Sequence, residues 1–398
     1  MSDKKIRPAD RLGNVSPSAM RELFEIAAKL RAQGKKVIDF GIGDIDIPMS
    51  KYVRDRLVEA IDEGKTRYGP NPGEFVLRKA IAKKYNTQHS LDLDEQNILV
   101  TSGAVESLLD IAFGYLNPGD EVIIQEPMFP YFGYQAILAG AKLVPVSTDL
   151  ENEFKITPEA LGEAITEKTK LVMINYPTNP TGGVLEHNDM KGLVEVCQDD
   201  GVILCSDEVY EKTTFDGYKA PSALDFGYEN TIVINSGSKA YCMTGMRVGY
   251  AVAQSKEVIK PVAQIHQYNT AHAAVPNQLG MAAGIEHEAE IQETVLKILD
   301  ERRQALVDHW SKIPGLKFDP PKATFYLYPD TTGTGMSGKE FAKFALEQGV
   351  VVVPGKTFCF SESIPGGDNC VRLSYGVGNV VDIKEAAEML VAGLEAQH

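Results

Sequence analysis

Lys239 stands in the run Ser236-Gly237-Ser238-Lys239-Ala240-Tyr241, directly after the strand-like run Ile232 to Ile234, and Arg247 follows it closely. An amine just past a strand end becomes a nucleophile when desolvation and neighbouring cations lower its pKa, and the chemistry then open to it is condensation with a carbonyl. A lone lysine is ordinarily a solvated surface residue, so its meaning depends on what converges with it. Two more strand-like runs end in polar residues: Val202 to Leu204 leads into Ser206-Asp207-Glu208-Val209-Tyr210, and Leu171 to Ile174 leads into Asn175-Tyr176-Pro177-Thr178-Asn179-Pro180-Thr181-Gly182-Gly183. Taken singly, Asn179 and Asp207 also fit turn chemistry. Together the three ends offer an amine, a carboxylate, a phenol and an amide where open α/β sheets bind ligands, outside the carboxyl ends of the strands.

For those ends to meet, the strands must lie side by side. The apolar runs Ile98 to Val100, Val122 to Ile124, Leu143 to Val146, Leu171 to Ile174, Val202 to Leu204, Ile232 to Ile234 and Val248 to Val252 alternate with helical segments such as Val105 to Leu116 and Met190 to Cys197. Crossover connections and a mostly parallel, doubly wound α/β sheet follow, in a large domain over about 46–285. Before it, Met20, Leu23, Phe24, Ala27 and Leu30 recur at helical spacing ahead of Gly34 and a strand from Val37 to Phe40. A helix starting at Ser50 carries Val53, Leu57 and Ile61 and stops at Gly64, and Leu77, Ile81 and Tyr85 mark the next one. Beyond the sheet, a long polar helix, about Ala289 to Trp310, precedes strands at Phe325 to Tyr328, Val350 to Val353 and Val371 to Ser374. This predicts a smaller α+β domain of residues 1–45 and 286–398 that closes on the larger one and leaves a cleft.

A longer ordered set joins these pieces: Tyr68-Gly69-Pro70-Asn71-Pro72-Gly73, Thr101-Ser102-Gly103-Ala104, Pro118-Gly119-Asp120-Glu121-Val122, Asn175 to Gly182, Ser206 to Tyr210, Ser236 to Lys239, Gly245-Met246-Arg247-Val248-Gly249 and Val371-Arg372-Leu373-Ser374-Tyr375. In this the sequence resembles, nearly end to end, the fold-type I, pyridoxal 5′-phosphate-dependent class I and II aminotransferases. The resemblance implies catalytic roles for Lys239, Asp207 and Tyr210. Lys239 would be the Schiff-base lysine and, once displaced, the base that moves a proton at the substrate Cα; Asp207 would pair with the pyridine nitrogen. Asn179 and Tyr210 would hydrogen-bond the phenolate oxygen. Gly103, Ala104 and Val105 would begin a helix whose free N–H groups and dipole suit the phosphate, with Ser236, Ser238 and Arg247 completing the cradle.

The same resemblance implies that Phe129 stacks on the cofactor ring, that Tyr68 is lent to the phosphate across a homodimer interface, and that Arg372 grips the substrate α-carboxylate beside Gly43 and Asn179. For Phe129 and Tyr68, plain core and plain packing are the alternatives. The implied reaction moves an amino group between an amino acid (aspartate, aromatic or alanine-like) and a 2-oxo acid such as 2-oxoglutarate; a β-eliminating or C–S lyase of the same fold is the alternative. Some positions depart from the pattern. Glu106 stands where many relatives have Gln, Ala323-Thr324-Phe325-Tyr326 replaces Gly-Ala-Phe-Tyr, and Gly43-Asp44-Ile45-Asp46-Ile47-Pro48 lacks the common proline and phenylalanine.

Composition narrows the remaining classes. The 398 residues are 43% hydrophobic and 24% charged, as in an ordinary globule, and a net charge of −15 repels nucleic acid and anionic membrane surfaces. The five cysteines form no C-x-x-C pair and read as reduced thiols. Charges at Met1 to Arg7 do not suit a signal peptide, and no run approaches ~18 apolar residues, so a cytoplasmic location is expected. Gly333-Thr334-Gly335-Met336-Ser337-Gly338-Lys339 mimics a phosphate-binding loop, but Glu340 stands where a metal-binding hydroxyl is required. Ser337 and Glu340 instead form a capping box that starts a helix. Neither Gly41 with Gly43 nor Gly376 with Gly378 completes a dinucleotide fingerprint, and no metal site is expected.

Overall fold

The apolar runs pair into one sheet. After the short β1 (Ile38–Asp39), its strands are β2 (Ile98–Thr101), β3 (Glu121–Glu126), β4 (Lys142–Ser147), β5 (Thr169–Asn175), β6 (Ile203–Asp207), β7 (Thr231–Ser236) and β8 (Gly249–Ala253). The computed structural model describes residues 7–15 and 19–396, and side chains for all of these except 19–24. Residues Met1 to Ile6 and the side chains of Met20, Leu23 and Phe24 therefore lie outside the described residues. The sheet order is β2-β8-β7-β6-β5-β3-β4, with β8 antiparallel to both neighbours and every other pairing parallel.

Helices α1 (Ala19–Ala32), α2 (Lys51–Asp62), α3 (Phe75–His89), α4 (Ala104–Tyr115), α5 (Tyr131–Leu138), α6 (Pro158–Ala164), α7 (His187–Asp200), the single turn α8 (Gly237–Ala240), α9 (Lys256–Asn269), α10 (Val275–Glu286) and α11 (Glu288–Trp310) surround or follow it. Successive side chains of a strand point to opposite faces. Accordingly Val122, Ile124, Leu171, Met173, Ile232 and Ile234 pack in one core with Leu108 and Ile111 of α4 and Ile259 and Val262 of α9. Their neighbours Ile123, Val172, Ile174 and Val233 pack in another with Val53 of α2, Leu77 and Ile81 of α3 and Leu193 of α7. With helices on both faces, the sheet is doubly wound, the α/β class that the alternating pattern predicts.

The last part holds β9 (Tyr326–Leu327), α12 (Gly338–Glu347), β10 (Val350–Val351), β11 (Val353–Pro354), the short α13 (Pro365–Asp368), β12 (Val371–Ser374) and α14 (Val380–Glu395). The single strand expected from Val350 to Val353 is divided. β10 pairs with β1, Ile38 opposite Val350, whereas β11 and β9 flank β12. Each half of the run finds a different partner, and the chain redirects at Val352 between them. The capping box forms as expected: the Ser337 hydroxyl accepts the Glu340 N–H, and the Glu340 carboxylate accepts the Ser337 N–H at 2.9 Å. Among the described residues no helix is long and apolar enough to cross a membrane.

One contact sets how closely α4 sits on the sheet. A Cβ at Gly249 of β8 would lie 2.5 Å from the Ala104 nitrogen and 2.9 Å from the Asn235 oxygen, so only glycine lets this strand pass under the helix start. Gly249→Ala is expected to cost ~1–3 kcal/mol through overpacking against backbone that has nowhere to move. Thermal unfolding measures it, and an unchanged midpoint would show that α4 can retreat.

Candidate active site

The carboxyl ends of β5, β6 and β7 deliver the first side chains. Parallel register sets Asn175 beside Asp207. The Asn175 amide donates to the Asp207 carbonyl at 3.1 Å, and its oxygen accepts the Asn179 N–H at 2.8 Å, which fastens the loop after β5 to the end of β6. The Asp207 carboxylate accepts the Val209 N–H at 3.1 Å. Burial pushes its pKa up to about 7, against the opposing pull of that hydrogen bond and of the Lys239 cation. At the end of β7 the Ser236 hydroxyl accepts the Ser238 N–H at 3.2 Å and starts α8, the single turn that carries Lys239.

Lys239 donates from Nζ to the Gly43 carbonyl at 2.8 Å and lies 5.2 Å from the centre of the Phe325 ring. Burial lowers its pKa to about 8; Arg372 and Arg247 lower it too, while Asp44 and Asp207 oppose the shift. An amine so placed is neutral in a far larger fraction near physiological pH than an ordinary lysine, as nucleophilic attack and proton abstraction require.

The N-terminus of α4 forms one wall. Gly103 caps it at φ +93°, and a Cβ there would lie 2.5 Å from Nη2 of Arg247. Glycine thus permits the backbone twist and also lets a guanidinium rest against the helix start, where unpaired N–H groups gather positive potential. Arg247 itself adopts φ +53°, a left-handed conformation that costs a side-chain-bearing residue roughly 1–2 kcal/mol. Such strain, held in place by surrounding structure, gathers at functional sites.

The opposite wall comes from the far end of the chain. Arg372 of β12 is buried, donates Nη1 to the Asn179 side-chain oxygen at 3.1 Å and Nη2 to the Gly41 carbonyl, and lies 4.9 Å and 4.8 Å from the ring centres of Tyr326 and Phe358. The hydroxyls of Tyr210 and Tyr326 are 3.0 Å apart. A Cβ at Gly43 would fall 2.5 Å from the Tyr326 hydroxyl, so this residue must be bare for the two walls to approach. Phe129 stacks on Tyr131 at 4.6 Å.

These groups enclose a cleft of about 450 Å³, lined among others by Gly43, Ala104, Val105, Phe129, Asn179, Asp207, Tyr210, Ser236, Ser238, Lys239, Arg247 and Arg372. Of the residues singled out from sequence, Gly103 lies just behind Arg247, and Tyr68 stands apart from this chain's own cleft, 92% exposed and edge-on to His272. The cleft also takes in Asp44, Asn175 and Tyr326, to which the sequence reading gave no role. Asn175 and Tyr326 lie inside motifs already marked, but their contacts depend on long-range packing.

Residues 35–390 match the family described as aminotransferase class I and II. The chain belongs to that family. An aspartate aminotransferase of Pyrococcus horikoshii is 35% identical over 98% of this chain and 97% of its own length. An aromatic-amino-acid aminotransferase of Thermococcus litoralis is also 35% identical, over 92% of this chain and 93% of its own. Among solved structures, a double mutant of the Thermus thermophilus aspartate aminotransferase superposes with a TM-score of 0.92 at 30% identity, covering 98% of this chain and 100% of that one. In this class I and II aminotransferase, then, a lysine, a carboxylate and an arginine from three segments of the chain line one cleft.

The depressed Lys239 pKa is directly measurable. Amine-selective labelling of the cofactor-free protein across pH 6 to 11 should show Lys239 reacting with a midpoint near 8 while surface lysines titrate near their ordinary ~10.4. A midpoint above 10 for Lys239 would mean that water reaches the amine freely.

Proposed function

We propose that this chain transfers an amino group between an amino acid and a 2-oxo acid such as 2-oxoglutarate, with pyridoxal 5′-phosphate held in the cleft. The observation that carries the reading is the convergence of Lys239, Asp207 and Arg372 on one cavity. When bound, the cofactor supplies an aldehyde that captures amines and a protonated ring that withdraws electrons from the substrate Cα. The residues fit such a group. Asp207 is buried, and its pKa of about 7 marks a carboxylate short of cationic partners, which a protonated ring nitrogen would supply. The bare α4 N-terminus, Ser236, Ser238 and Arg247 suit a phosphate dianion, and Phe129 suits an aromatic ring face.

Each side chain then has one task. Asp207 holds a proton on the ring nitrogen; Asn179 and Tyr210 hydrogen-bond the ring oxygen. Arg372 receives the α-carboxylate, which orients the substrate so that its Cα faces Lys239. Lys239, with its pKa lowered to about 8, would take the proton from Cα and deliver it to the carbon of the cofactor that carries the amino group. The similarity to aspartate and aromatic-amino-acid aminotransferases favours amino transfer over β-elimination as the outcome.

The chain is read as two units, 46–285, and 286–398 together with 1–45; the pairing of β1 with β10 supports attaching the N-terminal segment to the C-terminal part. A homodimer completes the reading. Tyr68 is exposed together with Val58, Ile61, Phe75 and Val76, an apolar set that a second copy would cover while Tyr68 reached that copy's phosphate. The five free cysteines support a cytoplasmic location.

Wild-type protein incubated with an amino acid and 2-oxoglutarate should form glutamate and the matching 2-oxo acid in equal amounts, and Lys239→Ala should lose nearly all of this turnover. Release of pyruvate and ammonia instead would establish the lyase alternative. Arg372→Lys replaces a planar two-pronged donor with a point charge, so kcat/KM should fall roughly 30-fold or more for every accepted donor alike. A loss confined to dicarboxylic donors would assign Arg372 to the distal carboxylate.

A further inference from the structure

We propose that His266 is a positioning residue for the turn Ser102 to Ala104: set between Glu106 and Asp110, its imidazolium ties that turn to α9 and offsets negative charge directly beneath the seat of the cofactor phosphate. The proposal rests on the reading above, in which the start of α4 holds that phosphate.

Glu106 and Asp110 stand one helical turn apart on α4, 8% and 0% exposed. Like charges at this spacing repel, and burial removes the water that would screen them. His266, wholly buried on α9, brings Nδ1 to 3.2 Å from Glu106 Oε1 and 3.5 Å from Asp110 Oδ2. Asn269, at the end of α9, donates its amide to Asp110 Oδ1 at 3.2 Å and to Glu106 Oε1 at 3.4 Å. Glu106 uses its other oxygen to accept the backbone N–H of Ser102, the residue just before the Gly103 cap. A second brace holds the same turn: the Thr101 and Ser107 hydroxyls meet at 2.7 Å, and Thr101 donates to the Gly103 carbonyl at 3.1 Å.

The consequence is electrostatic as well as mechanical. Burial pulls the His266 pKa down, but hydrogen bonds to Asp110 and Glu106 outweigh it and take the value up to about 9, which favours the cationic ring between the two carboxylates. Without that charge, two buried carboxylates would lie within the first two turns of a helix whose N-terminus must attract a dianion. The Glu106 that departs from the Gln of many relatives is thereby explained: the extra negative charge here is matched by an imidazolium beside it.

The test compares pyridoxal 5′-phosphate with pyridoxal, which lacks the anion, as ligands of the full-length protein in equilibrium titrations. His266→Leu should weaken the phosphorylated ligand by ~10-fold or more and pyridoxal by less than ~2-fold, as expected when a buried pair is broken beneath the anion alone. Glu106→Gln added to His266→Leu keeps an acceptor for the Ser102 N–H and removes one buried charge, so it should recover most of the loss. Should the leucine variant fail to fold, His266→Gln, polar but uncharged, serves in its place. Equal weakening of both ligands, no weakening, or failure of the rescue would overturn the proposal. Dialysis of the wild-type protein against a chelator should leave both affinities unchanged; a fall would mean that a metal ion, not a proton, links the three ligand atoms, which lie within 4.8 Å of one another. If the wild-type protein bound the two ligands equally well, the phosphate seat itself would be wrong, an outcome distinct from the failure of His266 to matter.

Discussion

The register of β5, β6 and β7 is the constraint on which the cleft depends. Asn175 pairs with Asp207 across one ladder, and Asp207 with Ile234 across the next, so the loop after β5, the carboxylate of β6 and, two residues further on, Ser236 of β7 leave the sheet at the same edge. A slip by one residue would turn every side chain to the opposite face, and a slip by two would draw a carboxylate into an apolar layer. The alternating cores on the two faces oppose both errors, since Leu171 and Met173 fit one helix layer and Val172 and Ile174 the other. Packing on both sides of the sheet therefore fixes the distance between an amine and a carboxylate that neither strand could set alone.

The same cleft buries three ionisable groups and leaves each in a different state. It brings the amine of Lys239 down to about 8 and the carboxyl of Asp207 up to about 7, so both values lie near neutral pH before a ligand enters. Burial lowers the Arg372 pKa as well, yet a guanidinium starts so far above neutrality that it stays charged. Its charge is met by oxygen acceptors at Asn179 and Gly41 and by two ring faces, which orient the fork without neutralising it. Amine and carboxylate are thus prepared to change state, whereas the arginine is prepared only to bind.

What was legible in the sequence was what local spacing determines. The strand ends at Asn175, Asp207 and Ser236, the lysine turn after β7 and the capping box at Ser337 all follow from residues within a few positions of one another. Where partners come from far along the chain, the signal fades. Val350 to Val353 reads as one strand because an apolar run does not record that its halves pair with different neighbours. Glu106 was visible only as a departure from pattern, because His266 lies 160 positions away and nothing near it marks it as a partner. Tyr326 stood in a marked motif, but its closeness to Gly43 and to the Tyr210 hydroxyl arises only when β9 packs against the loop after β1.

The pairing of β1 with β10 also dictates an order of assembly. Residues 38–43 supply the strand that joins Val350 and Val351 and the carbonyls that receive Lys239 and Arg372, yet they leave the ribosome well before β10. At a synthesis rate of about 5–20 residues per second, β10 emerges roughly 15 to 60 s after β1. Through that interval the N-terminal segment has no edge to join, while the whole seven-stranded sheet can already form behind it. The pairing of β1 therefore waits until β10 has been made. Until β12 arrives, the Lys239 amine lacks both the Arg372 charge and the enclosing wall that lower its pKa, so its activation waits for the segment that carries Arg372.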